Sequence, residues 1–190
     1  ARGRAPTGVV FSGPDPRTVS ERLDTAPYPI TRTLQVDPPR TIHYEFLSLK
    51  NLRLPFGLIR DAAPQTLRAA SPRAHPNTAS GIAAIHVRVA SVSETLAQIA
   101  REPRVLPATN PATVGTAQLW LHEAPQDAYL ARVLDLLPRT ERPLLLALEF
   151  SVRSLEAAAS VLHARGVAFT ENADAVAVEP EQGLGTGIAF

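Results

Sequence analysis

The sequence predicts an α+β protein built from tandem strand–helix units, and two observations support this fold class. An alternating strand that leads into a small polar residue and then a helix occurs three times, around residues 8–15, 84–91 and 147–154. Each copy is followed by an apolar stripe with helical spacing and then by further alternating segments that are typical of strands. We therefore expect three units of the βαβββ type in tandem.

Composition excludes several classes of function. The chain has 190 residues and a net charge of +1, which gives no electrostatic basis for binding nucleic acid or a membrane surface. It has no cysteine, which excludes disulfides, thiolate metal sites and a cysteine nucleophile. There is no apolar run of membrane-spanning length and no signal-peptide pattern, so we expect a cytoplasmic protein. The sequence does not begin with methionine, so we expect residues to precede Ala1.

The first unit is predicted at residues 1–61. Residues 7–12 alternate as a strand does, and residues 15–25 have helical spacing with Pro16 in the first turn. Three strand candidates follow, at 30–36, 41–49 and 54–60. The next segment, 62–80, is rich in Pro, Ala, Ser and Asn, which predicts a linker.

The second unit is predicted at residues 81–124, with a strand at 82–90 and a helix at 92–101. Ser91 and Glu94 have the spacing of a capping box at the start of that helix. Residues 104–115 are predicted as loop with at most one short strand, and 116–123 alternate as a strand. A connecting helix and loop are expected at 125–142.

The third unit is predicted at residues 143–190. Its strand is expected at 144–152, and its helix, capped by Ser154 and ended by Gly166, at 155–165. A hairpin is expected from 167–171 and 175–179, followed by a last strand at 187–190. We expect this unit to pair with the second.

Three stretches carry a resemblance to a known family. They are the HPNTASG segment at 75–81, the strand and helix from 144 to 166, and the ending from 175 to 190 with its repeated glycines. With the repeated βαβββ pattern, these resemble the glyoxalase-like proteins of the vicinal oxygen chelate superfamily. The resemblance implies paired modules that form an open, barrel-like mixed sheet around a cavity, with the helices packed outside.

The resemblance also implies an unpaired module, because three modules are an odd number. We expect either an upstream module before Ala1 or a second copy of the chain in a homodimer. Many members of the superfamily hold a divalent metal ion, often with a histidine seven residues before the helix cap. Those positions here are Gly8, Ala84 and Ala147, which have no ligating side chain.

The loss of those histidines favours a small-molecule-binding protein without the usual metal site. The alternative is a metal-dependent lyase, isomerase or dioxygenase of the same superfamily, so whether the protein is an enzyme stays open. No cofactor is established at this point, and a divalent metal ion is the candidate.

Strand alternation supplies candidate site residues, because residues two apart share a face of a sheet. His86 and Arg88 share a face with Ala84, and Glu149 shares one with Ala147. If Val87, Val89, Leu148 and Phe150 point into the core, these polar side chains face the cavity. A His and a Glu there can ligate a metal or share a proton. They can equally make only hydrogen bonds on a semi-buried face.

The strand at 116–123 places Trp120 and His122 on one face. This pair can form a stacking and hydrogen-bonding surface for a ligand, or Trp120 can be packed at an interface between modules. Arg60 is a further candidate for binding an anionic substrate. The predicted ligand-binding residues are therefore His86, Arg88, Trp120, Glu149 and Arg60, and the predicted metal ligands are His86, His122 and Glu149.

Overall fold

The computed structural model describes residues 9–12, 28–34, 40–48, 56–61, 75–101, 107–137, 143–183 and 186–190. Strands and helices both occur along these segments, so the predicted α+β class is confirmed. In the described segments, no helix combines the length and apolar character needed to cross a membrane. The chain divides into two compact bodies, residues 8–73 and residues 74–190 with 1–7.

The first body contains a four-stranded sheet. Its strands are β1 (Val9–Ser12), β2 (Tyr28–Leu34), β3 (Arg40–Ser48) and β4 (Phe56–Asp61), in the spatial order β1-β4-β3-β2. β1 and β4 are parallel, and the other two pairs are antiparallel. The helix predicted at 15–25 lies outside the described residues.

The third unit repeats this strand order in the second body. It consists of β8 (Leu144–Val152), α3 (Leu155–Ala164), β9 (Phe169–Glu171), β10 (Val176–Val178) and β11 (Gly187–Ala189). The spatial order is β8-β11-β10-β9, with β8 and β11 parallel. In both units the opening strand thus lies beside the last strand, which a helical crossover allows and a simple meander does not.

The second unit follows the same plan in a shorter form. It consists of β5 (Ala79–Arg88), α1 (Val92–Ile99), β6 (Ala112–Val114) and β7 (Ala117–His122). The opening strand β5 is parallel to β7, and β6 is antiparallel to β7 at the sheet edge. β5 begins at Ala79, two residues inside the segment predicted as linker.

The second and third units are joined through their opening strands. β5 and β8 pair antiparallel, with His86 opposite Ala147 and Ala84 opposite Glu149. This pairing produces a seven-stranded sheet in the order β6-β7-β5-β8-β11-β10-β9. The sheet is mixed and open, as predicted. Because register fixes facing, His86 and Glu149 lie on the same face.

The opposite face of the sheet is apolar and buried. Ile85 and Val87 on β5 and Leu119 and Leu121 on β7 are at most 3% exposed. They alternate with His86, Trp120 and His122, as the sequence pattern predicts. Val176 and Val178, which continue this row on β10, are also buried. Burying a side chain of this size stabilises the fold by about 1.5–3 kcal/mol.

A third helix, α2 (Ala128–Leu136), lies on the face that carries His86. A Cβ added to Gly187 would meet Tyr129 Oη and the Val133 side chain at 3.0 Å and the Ala147 Cβ at 2.9 Å. Gly187 is the register partner of Ala147, and Ala147 is the register partner of His86. The missing side chain of Gly187 therefore lets α2 approach the sheet on this side.

The helix ends are set by local hydrogen bonds. Ser91 Oγ accepts from the backbone N–H of Glu94 at the start of α1, and Ser154 Oγ accepts from Ala157 at the start of α3. Both caps are as predicted. Gly166, at φ 66°, ends α3 in the left-handed conformation that glycine adopts without steric cost.

Candidate functional site

His86 is the buried centre of a cluster of polar and aromatic side chains. It lies on β5 between Trp120 of β7 and Ala147 of β8, and it is only 6% exposed. The small side chain of Ala147 leaves room beside the ring. Histidine at such a depth needs hydrogen-bond partners, because an unpaired buried polar group costs about 1–3 kcal/mol.

Both ring nitrogens of His86 have such partners. Nε2 lies 2.9 Å from Glu149 Oε1 on β8, and Nδ1 lies 3.0 Å from His122 Nε2 on β7. The cluster thus joins three strands that are not consecutive in the chain. We call His86, Trp120, His122 and Glu149 the polar cluster.

The rings of the cluster are nearly parallel. The Trp120 and His86 ring planes are 8° apart, with centroids separated by 6.4 Å, within the range of offset aromatic pairs. The His122 and His86 planes differ by 23° at a centroid distance of 5.2 Å, which fits edge-to-edge contact through the nitrogen–nitrogen hydrogen bond. Trp120 is still 37% exposed, so a large flat apolar surface adjoins the hydrogen-bonding groups.

Electrostatics distinguish the two ends of the cluster. The hydrogen bond from His86 lowers the pKa of the Glu149 carboxyl, outweighing the opposing effect of burial. Burial, and then the neighbouring His86, lower the pKa of His122, while Asp127 acts in the opposite direction. At neutral pH this favours an ionised Glu149 and an uncharged His122.

Of the predicted site residues, the structure brings His86, Trp120, His122 and Glu149 together. Arg88 is two residues beyond His86 on the same strand, directly opposite His122. Arg60 lies on β4 in the other compact body, opposite Glu45, and its side chain is outside the described residues. Its predicted role in anion binding stays a prediction, as do the ligand-binding roles of the other residues.

Sequence reasoning missed Asp127, which lies near the cluster, and Tyr129, which joins α2 to the strands β10 and β11. Asp127 caps α2 by accepting from the Leu130 N–H, and its charge raises the pKa of both His122 and Glu149. Tyr129 Oη accepts from the backbone N–H of Ile188 and lies 2.9 Å from the Val178 carbonyl oxygen. An aspartate before a helical pattern indicates a cap, but only the packing of α2 on the sheet brings it near the cluster.

The three predicted metal ligands do not converge on one point. The two nitrogens of an imidazole point in divergent directions, and here each is directed at a different partner. Glu149 and His122 therefore lie on opposite edges of His86, whereas metal ligands must face a common centre. Within the described segments, no set of three or more His, Asp or Glu side chains is arranged to hold a metal ion. The observed arrangement does not fit a shared metal.

Comparisons with known proteins give little further information. No protein-family model matches the chain. No curated protein sequence matches it. Among solved structures, it is similar to methylmalonyl-CoA epimerase from Mycobacterium tuberculosis, with 18% sequence identity and a TM-score of 0.43. The match covers 59% of this chain and 87% of that one. A TM-score of this size does not establish a common fold.

Proposed function

We propose that this chain is a glyoxalase-like protein that binds a small molecule against the polar cluster, without the metal site usual in that superfamily. One observation carries the proposal. Trp120 lies parallel to His86 and keeps 37% of its surface exposed, and His86 is hydrogen-bonded to both His122 and Glu149. Small-molecule sites typically combine a flat apolar surface with a few fixed polar groups of this kind.

The chemistry of the cluster limits the ligand. An exposed indole ring favours a planar or aromatic group, which it can cover by stacking. His122 is partly buried and can donate or accept a hydrogen bond. Arg88, opposite His122 on β5, supplies positive charge. A flat molecule with one hydrogen-bonding or anionic substituent satisfies these requirements. Because Glu149 is ionised and 46% exposed, a second anionic group beside it is disfavoured.

Trp120 is the single tryptophan of the chain, so its fluorescence reports directly on the proposed site. We expect planar aromatic acids and phenols in a fragment screen to change this emission in a saturable way. The same compounds should raise the melting temperature. Calorimetry should then show that binding weakens about tenfold or more in W120A, which corresponds to loss of one stacking contact.

Leu136 provides a matched control. It is the other large exposed apolar side chain in the described residues, at 48%, and lies at the end of α2. L136A should leave the affinity unchanged. Equal loss of binding in L136A and W120A, or no saturable ligand in the screen, would contradict the proposed site.

A metal-dependent lyase, isomerase or dioxygenase is the second candidate. Two histidines and a glutamate do lie within hydrogen-bonding distance, although their present arrangement does not fit a shared metal. A metal would require the His86 ring to release at least one of its present partners. Elemental analysis of untagged protein after dialysis without chelator tests this candidate. About one divalent ion per chain that H86A and H122A both lose would support it, and a metal content below about one ion per ten chains would exclude it.

We also propose that the chain forms a homodimer through β1. In the third unit the opening strand β8 pairs with β11 on one edge and with β5 on the other. In the first unit, β4 is the only strand paired with β1 among the described residues. Antiparallel pairing of β1 with its own copy is twofold symmetric by construction and would repeat the β5–β8 arrangement.

Light scattering coupled to size-exclusion chromatography tests the dimer. We expect twice the monomer mass for the wild-type chain. Because neighbouring residues of a strand direct their N–H groups to opposite edges, one of V9P and V10P removes a donor from the outer edge only. That variant should be a folded monomer. A monomeric wild type, or a dimer that survives both substitutions with circular dichroism unchanged, would overturn the proposal.

A further inference from the structure

We propose that Glu149 acts through His86 to fix the tautomer of His122, so that His122 Nδ1 becomes the proton acceptor of the polar cluster. This inference rests on the proposed function in one respect only, since the proton donor is the bound small molecule. The expected ligand class is a flat molecule whose O–H, N–H or acidic C–H lies against His122. Glu149 and His86 are positioning residues, which do not need to touch the ligand.

The direction of the hydrogen bonds follows from the carboxylate. An ionised carboxylate is an acceptor only, so the 2.9 Å contact requires a proton on His86 Nε2. An imidazole whose single proton lies on Nε2 has a lone pair on Nδ1, and this is the form that the inference assigns to His86. The 3.0 Å contact from that atom to His122 Nε2 therefore requires the proton on His122 Nε2. In a neutral His122, the lone pair is left on Nδ1.

The middle of this hydrogen-bonded chain is buried, whereas both of its ends are partly exposed to solvent. The His86 side chain is 8% exposed, whereas that of Glu149 is 46% exposed and His122 is partly buried. Solvent thus reaches both ends of the chain of hydrogen bonds but scarcely reaches its middle. No described residue makes a hydrogen bond to His122 Nδ1. That nitrogen is therefore the acceptor that the network leaves for a ligand.

The charged groups around His122 are compatible with this role. Burial and the neighbouring His86 oppose a proton on His122, whereas the charge of Asp127 at the start of α2 favours one. In the transfer step, the ligand X–H bond breaks and its electron pair stays on X. The proton goes to His122 Nδ1, and His122 continues to donate from Nε2 to His86. The new positive charge lies one imidazole away from the Glu149 carboxylate.

Nitrogen NMR of the free protein tests the proposal without any ligand. At a pH above the ordinary histidine value of about 6.5, ¹⁵N shifts distinguish a protonated from a bare ring nitrogen. We expect a bare Nδ1 and a protonated Nε2 in both His86 and His122. The Hε2 protons of the two rings should exchange slowly with solvent, because each is held in the network.

Substitutions of Glu149 make the test specific. E149A removes the acceptor that sets the direction, so both rings should show averaged nitrogen shifts and the slow exchange of His122 Hε2 should be lost. E149K places a donor there and should shift both rings toward Nδ1–H. E171A, an exposed glutamate on β9 of the same sheet, should change neither ring.

Two outcomes would overturn the inference. One is a protonated Nδ1 on His122 in the wild-type protein. The other is an unchanged His122 spectrum in both E149A and E149K. Failure of the ligand screen with the predicted tautomers in place would instead count against the proposed function, so the two failures are distinguishable.

Discussion

The second and third units share one backbone plan but carry different side chains at equivalent places. His86 stands five residues before the Ser91 cap, and Glu149 stands five residues before the Ser154 cap. Because β5 and β8 pair antiparallel, these equivalent positions lie diagonally across the strand pair. A hydrogen-bond donor in one unit therefore meets an acceptor in the other. The difference between the copies, rather than their similarity, creates the polar cluster.

The first unit shows the same plan without this chemistry. The residue at the corresponding spacing before Asp15 is Val10, which is apolar and lacks any hydrogen-bonding group in its side chain. Its strand order is nevertheless that of the third unit. The repeated backbone therefore specifies a fold, whereas the cluster depends on which two units pair.

The largest loss of stability is expected at Gly187, where the third unit packs against α2. G187V places a side chain where Tyr129, Val133 and Ala147 already lie within 3.0 Å. Overpacking of this kind should lower the free energy of unfolding by about 2–3 kcal/mol, measured by urea denaturation. The matched variant G81V, in the second unit, meets nothing within 4 Å and should change stability by less than about 0.5 kcal/mol. Equal losses in the two variants would contradict the packing described for α2.

A smaller loss of stability is expected from H86A. The substitution leaves a small cavity and removes the partner of both Glu149 and His122, which should reduce the free energy of unfolding by about 1–3 kcal/mol. H163A, an exposed histidine on α3, is the control and should fall within about 0.5 kcal/mol of the wild type. Equilibrium unfolding followed by Trp120 fluorescence measures both. An unchanged free energy of unfolding in H86A would show that the cluster contributes nothing to the joining of the two units.

The coupling energy between His86 in the second unit and Glu149 in the third should be smaller still. A double-mutant cycle with H86A and E149A should give about 0.5–1 kcal/mol of coupling. The charge-assisted contact would be worth more if it were buried, but the Glu149 side chain is 46% exposed and solvent screens it. A cycle of H86A with E171A should show additive losses. Coupling of the same size in both cycles would mean that His86 acts through general packing.

Acid should weaken the fold in two stages. The pKa of His122 is lowered from 6.5, so its contribution is complete above that pH and is lost as pH falls through the folded value. The pKa of Glu149 is lowered from 4.5, so its contribution disappears at still lower pH. H122N should flatten the first stage of a stability–pH curve and E149Q the second. An H122N curve parallel to the wild type from pH 7 to 5 would contradict the electrostatics described here.

Much of the fold could be predicted because short-range signals agree with it. β8 begins and ends at the predicted residues, and Ser154 and Gly166 bound α3 as expected. These signals act within a few residues of the chain. Strand periodicity made Val87, Val89, Leu148 and Phe150 candidates for the core. Val87 and Val89 are at most 1% exposed, whereas Leu148 and Phe150 are only partly buried.

The site could be predicted only in part, because its geometry depends on register. Alternation indicated that His86 shares a face of β5 with Ala84 and that Glu149 shares a face of β8 with Ala147. It did not indicate that these two faces lie on the same side of the sheet. The register of β5 against β8 makes them coincide, and it shifts by a residue between His86 and Val87. The proximity of Asp127 depends on the path of α2, which no local pattern specifies.

Ligand affinity in a second double-mutant cycle shows whether equivalent positions of the second and third units form one binding site. The ligand is the best compound from the Trp120 fluorescence screen, and the proteins are wild type, H86A, E149A and the double variant. We expect each single substitution to weaken binding about tenfold and the double variant to bind little worse than either one. Unchanged affinity in all the variants, or losses that simply add, would contradict this expectation.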